Sequence, residues 1–215
     1  MNSFFQFVRD GGIIMVPLLL LSLGAFAIII ERVLAFKTLG HLAPGLLHEV
    51  LRDAEKNDFD AALRRCENTP GPLAACLAAI LKNRQRPVRV AERRVEEIGG
   101  EYFNRLERLL PFLDTAATIA PLLGLLGTVV GMIGTFQAIS AQQTRGNSDA
   151  ILAGVGEALY ATATGITIAV VCFVAYNFFA ARLRSISAET EQAATRLINE
   201  LVDAGHFAPE AERAI

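Results

Sequence analysis

Charge is absent from three long stretches of this 215-residue chain: the 20 positions between Asp10 and Glu31, residues 115–144, and residues 158–181. A helix rising ~1.5 Å per residue crosses ~30 Å of hydrocarbon in roughly 20 residues, so each stretch predicts a membrane span. The first also resembles a secretory signal, with Ala25-Phe26-Ala27 in the place of a cleavage site. Its apolar run continues through Ile28-Ile29-Ile30, and two more spans follow, which favours a retained helix. Between the second and third stretches, Gln142, Gln143, Arg145, Gly146, Asn147, Ser148 and Asp149 read as a polar turn.

Outside the spans the period is also helical. Pro44-Gly45 can open a short helix, Asp58 suits the N-cap of another over Phe59–Glu67, and Pro70-Gly71-Pro72 stops that one before a third over 73–82. From Pro87 onward, Val95, Ile98, Tyr102, Leu106, Leu109 and Leu113 step by three and four, one apolar face of a helix that runs into the second span without a turn signal. Leu183, Ile186, Thr190, Ala193, Leu197 and Leu201 make a similar stripe after the third span. An apolar stripe outside lipid must be covered. With only a few short helices to cover it, self-association around these projections is the expectation.

The pattern predicts an all-α membrane protein with three transmembrane helices, the second and third extended into the cytoplasm as long amphipathic helices, and a helical cytoplasmic insertion between the first and second. The expected divisions are a periplasmic arm over 1–10, spans over 11–34, 114–141 and 151–181, the insertion over 35–113, a periplasmic turn over 142–150, and a cytoplasmic helix and tail over 182–215. Basic residues set the direction. Residues 31–113 hold 14 of the 20 Lys and Arg and the tail holds four, whereas the arm and the turn hold only Arg9 and Arg145. Counted close to the spans, Arg32, Lys37, Arg105, Arg108, Arg182 and Arg184 outweigh Arg9 and Arg145, so the N-terminus faces out and the C-terminus faces the cytoplasm by the positive-inside rule.

Composition agrees and narrows the chemistry. The chain is 53% hydrophobic and 20% charged, without Trp and with 17 Gly, an aliphatic membrane-helix palette. A net charge of −2 gives no basic field for nucleic acid. Cys66, Cys76 and Cys172, with His41, His48 and His206, make no zinc or disulfide pattern; Cys172 suits a small hydrophobe in a span. There is no HExxH, GxSxG or GxxxxGK[ST] pattern and no His within a span, so enzyme chemistry, a metal and a cofactor are not expected.

The remaining candidates lie on the second and third spans. Gly124, Gly127, Gly131 and Gly134 step by 3, 4 and 3 along one face, suited to close helix packing in lipid. Pro111 and Pro121 each remove a backbone hydrogen bond. Threonines recur at 115, 118, 128, 135, 162, 164 and 167, each able to satisfy itself on the carbonyl one turn back. Glu157 is costly within lipid and must face protein or water, or cap the third helix at its N-terminal end. With Tyr160, Thr164 and Thr167 it draws a polar stripe that suits a pore or a subunit interface, and Asn177 is a further polar candidate in the same span.

Two segments resemble the MotA/TolQ/ExbB proton-channel family. The run Ala120-Pro121-Leu122-Leu123-Gly124-Leu125-Leu126-Gly127-Thr128-Val129-Val130-Gly131-Met132-Ile133, followed by Phe136, is similar to its second-span signature. Gly156-Glu157-Ala158-Leu159-Tyr160-Ala161-Thr162-Ala163-Thr164-Gly165-Ile166, then Tyr176-Asn177, resembles its third. Glu31-Arg32 after the first span also fits, while Ala153 stands where many relatives carry proline. The resemblance implies a bacterial inner-membrane subunit, five copies of which ring the helices of an ExbD- or TolR-like single-span partner whose membrane aspartate carries the proton. It further implies that Thr128 and Thr162 face that aspartate and that Glu157 is the third-span glutamate of the family. Proton flow would then energise outer-membrane uptake or envelope maintenance. The alternative is a passive membrane scaffold in which Glu157 is structural. The resemblance favours Thr162 for the pore, whereas the polar stripe favours Thr164.

Overall fold

The computed structural model describes residues 12–141 and 148–209; within its helices the side chains of 138–141, 148–153 and 157 are not described. The expected N-terminal arm with Arg9, the centre of the polar turn with Arg145, and the last six residues lie outside the described residues.

Seven helices account for nearly all of the described chain: α1 (Met15–Thr38), α2 (Leu46–Glu55), α3 (Phe59–Glu67), α4 (Pro72–Lys82), α5 (Val88–Glu107), α6 (Leu110–Ala141) and α7 (Ser148–Asp203). Among the described residues there is no strand, only an isolated bridge between Pro87 and Ala208. Three helical runs are long and apolar enough to cross a membrane, Met15–Thr38, Val88–Gln137 and Gly154–Asp203. Contacts divide the chain into two compact units, one of Met1–Ile30 with Leu109–Phe178 and the other of Glu31–Arg108 with Phe179–Ile215.

The first unit is the apolar one. Its outer surface exposes Leu20, Phe26, Leu122, Phe136, Val170, Phe173 and Phe178, which only a lipid or protein surrounding satisfies. Small residues line its interior, including Ala116, Ala120, Ala158, Ala161 and Cys172. Gly24 of α1 lets Phe112 of α6 approach: a Cβ there would stand 3.3 Å from the ring.

The second unit has its own core. Val50, Ala62, Cys66, Leu77, Ile80 and Leu81 from the three short helices close on Ala193, Ala194, Leu197, Ile198 and Leu201 of α7. The stripe that follows the third span is therefore covered within the chain, and the expectation that neighbouring copies must cover it is corrected. The short helices are sufficient because they pack edge to edge around one face of α7, each adding a buried strip. Polar pairs link them. Arg65 of α3 donates from Nε to Asp53 Oδ2 at 2.6 Å and from Nη1 to Glu49 Oε2 at 2.8 Å, both on α2; the bond to Asp53 raises the guanidinium pKa above its ordinary value. Lys82 on α4 pairs with Glu67 on α3 at 2.7 Å.

Helix ends follow the local chemistry. Asp58 caps α3 by accepting from the Ala61 amide at 3.0 Å. Helix α7 ends at Asp203 and is closed by Gly205, whose φ of +70° permits a paired closure: the Gly205 amide donates to Val202 O and the His206 amide to Leu201 O. The chain then lies back on the bundle. The His206 ring meets Phe59 edge-on at 4.9 Å, and the Ala208 amide donates to Arg86 O at 3.2 Å.

Helix α5 differs from its expected form in two ways. Its deepest residues are Ala91, Gly99 and Leu106, while Val95, Ile98 and Tyr102 are half-buried. The smallest positions take the closest approach: a Cβ on Gly99 would lie 3.7 Å from the Cys76 sulfur of α4. The helix also does not pass unmarked into the span. Turn residues Arg108 and Leu109 separate α5 from α6 although Arg108 keeps helical angles, φ −42° and ψ −39°. Pro111 has no amide hydrogen for the Glu107 carbonyl, which interrupts the ladder at this point. By contrast, α6 continues through Pro121.

Candidate functional site: the seam and threonines of the membrane helices

Within the first unit, α6 and α7 run antiparallel at a separation set by glycine and alanine. A Cβ on Gly124 would lie 3.0 Å from Thr162 Cα and 3.1 Å from Ala161 O; on Gly127 it would lie 2.5 Å from Ala161 Cβ; on Gly131 it would lie 3.1 Å from Ala158 Cβ. The facing helix is equally restricted, since a Cβ on Gly165 would strike the Ala120 carbonyl and one on Gly154 would strike the Thr135 hydroxyl. Two backbones this close gain dispersion contacts that larger side chains would prevent. Gly134 takes no part in the pair, since a Cβ there meets nothing within 4 Å.

The α7 half of the seam, Gly154, Ala158, Ala161 and Gly165, was not among the sequence candidates. Its signal was present in the spacing of small residues by 4, 3 and 4, but alanine dilutes it in a chain this rich in alanine. Thr135 is also part of the seam: it is buried and donates to Gly131 O at 2.9 Å.

Most polar candidates satisfy themselves locally. Thr115, Thr118, Thr164 and Thr167 donate to the carbonyls of Pro111, Asp114, Tyr160 and Ala163, each one turn back, at 2.8–3.1 Å. Thr128 donates to Leu125 O at 2.6 Å, and the Asn177 amide donates to Phe173 O at 2.8 Å. Thr162 is different. Its hydroxyl crosses the seam to Gly124 O at 2.9 Å, so it joins the two helices at one of the glycines of the seam.

The threonines fall on two sides of the helix pair. At ~100° per residue, Thr128 stands ~60° from the midline of the α6 seam stripe and Thr162 ~70° from that of α7, in the same rotational sense. Because the helices are antiparallel, equal rotations put both threonines on one side of the pair. Thr164 lies ~90° off the α7 midline in the opposite sense, with Tyr160 and Thr167 further round. Asn177, 13 residues beyond Thr164, stands ~140° from it around the helix. Glu157 lies on α7, but its side chain lies outside the described residues.

Outside the membrane helices, Cys66 and Cys76 are buried thiols whose pKa values are pushed up to about 11. Burial is the main cause for both, and the neighbouring Glu67 charge adds to it at Cys66. Thiols so held are neither nucleophiles nor metal ligands at neutral pH.

Known proteins place this arrangement. The sequence profile of the MotA/TolQ/ExbB proton channel family matches residues 50–192, which include both signature segments and the whole α6–α7 seam. An ExbB-like biopolymer transport protein of Synechocystis sp. is 32% identical over 173 residues, covering 79% of this chain and 81% of its own length. The Tol-Pal system protein TolQ of Pseudomonas aeruginosa is 38% identical over 104 residues, 48% of this chain and 42% of its own. The biopolymer transport protein ExbB of Salmonella typhimurium is 36% identical over 107 residues, 50% of this chain and 42% of its own. The matches thus span about two fifths of the TolQ and ExbB relatives. Members of this family are channel and transport subunits rather than enzymes. With its three membrane-crossing runs, close glycine seam and signature threonines, the chain is a multi-pass membrane protein and belongs to the MotA/TolQ/ExbB proton channel family.

Proposed function

We propose that this chain is the ring-forming subunit of an inner-membrane proton motor, five copies surrounding an ExbD- or TolR-like single-span partner that carries a membrane aspartate. The observation that carries this reading is the side shared by Thr128 and Thr162, the two threonines that match the family's partner-facing positions. In a ring, one side of each α6–α7 pair faces the centre and the other faces the next copy. The Thr128 and Thr162 side is the inner one, and the stripe of Tyr160, Thr164 and Thr167 meets the neighbouring subunit. Glu157, the counterpart of the family's third-span glutamate, is assigned to the proton path, although on an ideal helix it stands ~140° from Thr162.

The N-terminus lies in the periplasm and the C-terminus in the cytoplasm. Proton flow moves the ring against its partner and energises outer-membrane transport or envelope maintenance. The chain itself supplies the wall, and the titrating carboxyl resides on the partner. Co-purification with a single-span protein encoded next to it, followed by native mass spectrometry, tests the assembly. The expected particle has five copies of this chain with partner bound; a monomer without partner contradicts the proposal and favours a passive scaffold.

A further inference from the structure

The geometry points to Thr162 and Thr128 as hydrogen-bond acceptors, a wall that receives the partner's carboxyl in its protonated form. This rests on the proposed placing of both threonines toward the partner's membrane aspartate. A hydroxyl has one hydrogen to give and two lone pairs to offer. Thr162 commits its hydrogen to Gly124 O across the seam at 2.9 Å, and Thr128 commits its own to Leu125 O at 2.6 Å. One carbonyl ties the pair together: Gly124 O is also the ladder acceptor for the amide four residues on, that of Thr128. Thr128 thus holds this oxygen through its backbone and Thr162 through its side chain. The other threonines described in the spans, at 115, 118, 135, 164 and 167, likewise donate to carbonyls.

With their hydrogens committed, the two hydroxyls turn lone pairs toward whatever faces them. An ionised carboxylate carries only acceptors and gains nothing there, whereas a carboxylic acid has one O–H to donate. Bonding to the neutral form disfavours the charged one, so this side of the wall holds the aspartate protonated and releases it when the proton leaves. No titratable side chain of this chain intervenes on that side. There is none on α1 before Glu31 or on α6 between Thr115 and Gln137, and on α7 Glu157 and Tyr160 stand ~140° and ~160° from Thr162. Bonding to a backbone carbonyl is usual for a helical threonine. What distinguishes Thr162 is that its carbonyl belongs to the other helix, so its hydroxyl cannot turn toward the partner without unlinking the seam.

The test uses the complex with its single-span partner, reconstituted in lipid, with an isotope label on the carboxyl carbon of the partner's membrane aspartate. Solid-state NMR follows its protonation against pH. Thr162→Val and Thr128→Val keep the side-chain shape and remove the acceptor, and each should lower the midpoint of titration by about one pH unit. Thr162→Ser, which keeps the hydroxyl, should retain the original midpoint. In the unmodified complex the acid hydrogen should lie close to the Thr162 and Thr128 side chains, a measurement that stands even where a variant does not assemble. A midpoint that rises in the valine variants, or threonine hydroxyl hydrogens directed at the carboxyl, would overturn the inference while leaving both threonines on the partner-facing side. An unmoved midpoint in both assembled valine variants would overturn that placing as well.

Discussion

At the scale of single residues, Thr162 carries the most distinctive geometry. Removing its hydroxyl deletes the bond to Gly124 O across the seam, while Thr128→Ala removes only a bond within α6. In reconstituted complex with its partner, both Thr162→Ala and Thr128→Ala should reduce proton flux at least several-fold with the ring still assembled. Thr164→Ala, on the opposite side of the pair, should leave flux within about twofold, since its hydroxyl is bonded only to its own helix. Unchanged flux in the first two variants, measured with a pH-sensitive dye, would remove their assignment to the proton path. Which threonine crosses the seam was not legible in the sequence. Periodicity puts each on a face, but the partner of a face depends on the register between helices, and here that register is set by which glycines and alanines meet.

The buried thiols give a second prediction at this scale. With pKa values of about 11 against an ordinary 9.0, Cys66 and Cys76 should resist maleimide in the native protein at pH 8 and react readily after denaturation. The folded state holds these protons more tightly than the unfolded one. That contribution to stability is complete below about pH 9 and is lost as pH rises through about 11. Unfolding midpoints should therefore fall between those values. Rapid native labelling at pH 8 would show that the second unit opens around them.

At the scale of elements, the seam between α6 and α7 depends on the absence of side chains. Gly127→Val should fail, because even its Cβ would lie 2.5 Å from Ala161 Cβ, with a cost above about 3 kcal/mol from overpacking and backbone shift. Gly134→Ala should change the stability of the subunit by less than about 1 kcal/mol, as nothing stands within 4 Å of the added carbon. Unfolding of the two purified variants checks the contrast; equal effects would contradict the seam as described. The glycine ladder of α6 was legible in the sequence, but its end was not, since periodicity alone cannot tell where a second helix diverges. The caps and stops of the short helices were legible because Asp58, Pro70-Gly71-Pro72 and Pro87 act locally. The interruption before α6 was harder to place: Pro111 and Pro121 look alike in sequence, yet turn residues interrupt the helical run just before Pro111, whereas α6 continues through Pro121.

For the molecule as a whole, the segregation of charge makes three spans and an all-helical fold readable from the sequence. The covering of the Ala193, Leu197 and Leu201 stripe was not readable, since three short helices of 9–11 residues look too slight to form a core. They bury it nonetheless, and Leu197→Ala should cost about 2–5 kcal/mol through the second unit's own unfolding transition. In the proposed ring, contacts between copies would then come from other surfaces, such as the sides of the α6–α7 pairs. The central claim is that this subunit is a channel wall completed by a partner's titrating carboxyl. Proton flux into liposomes, driven by a potassium diffusion potential and read by an internal pH dye, tests it most directly. The account predicts a basal rate for this protein alone, and conduction when it is reconstituted with its single-span partner that is lost on changing the partner's membrane aspartate to asparagine. Robust flux from this protein alone, or conduction indifferent to that aspartate, would contradict it.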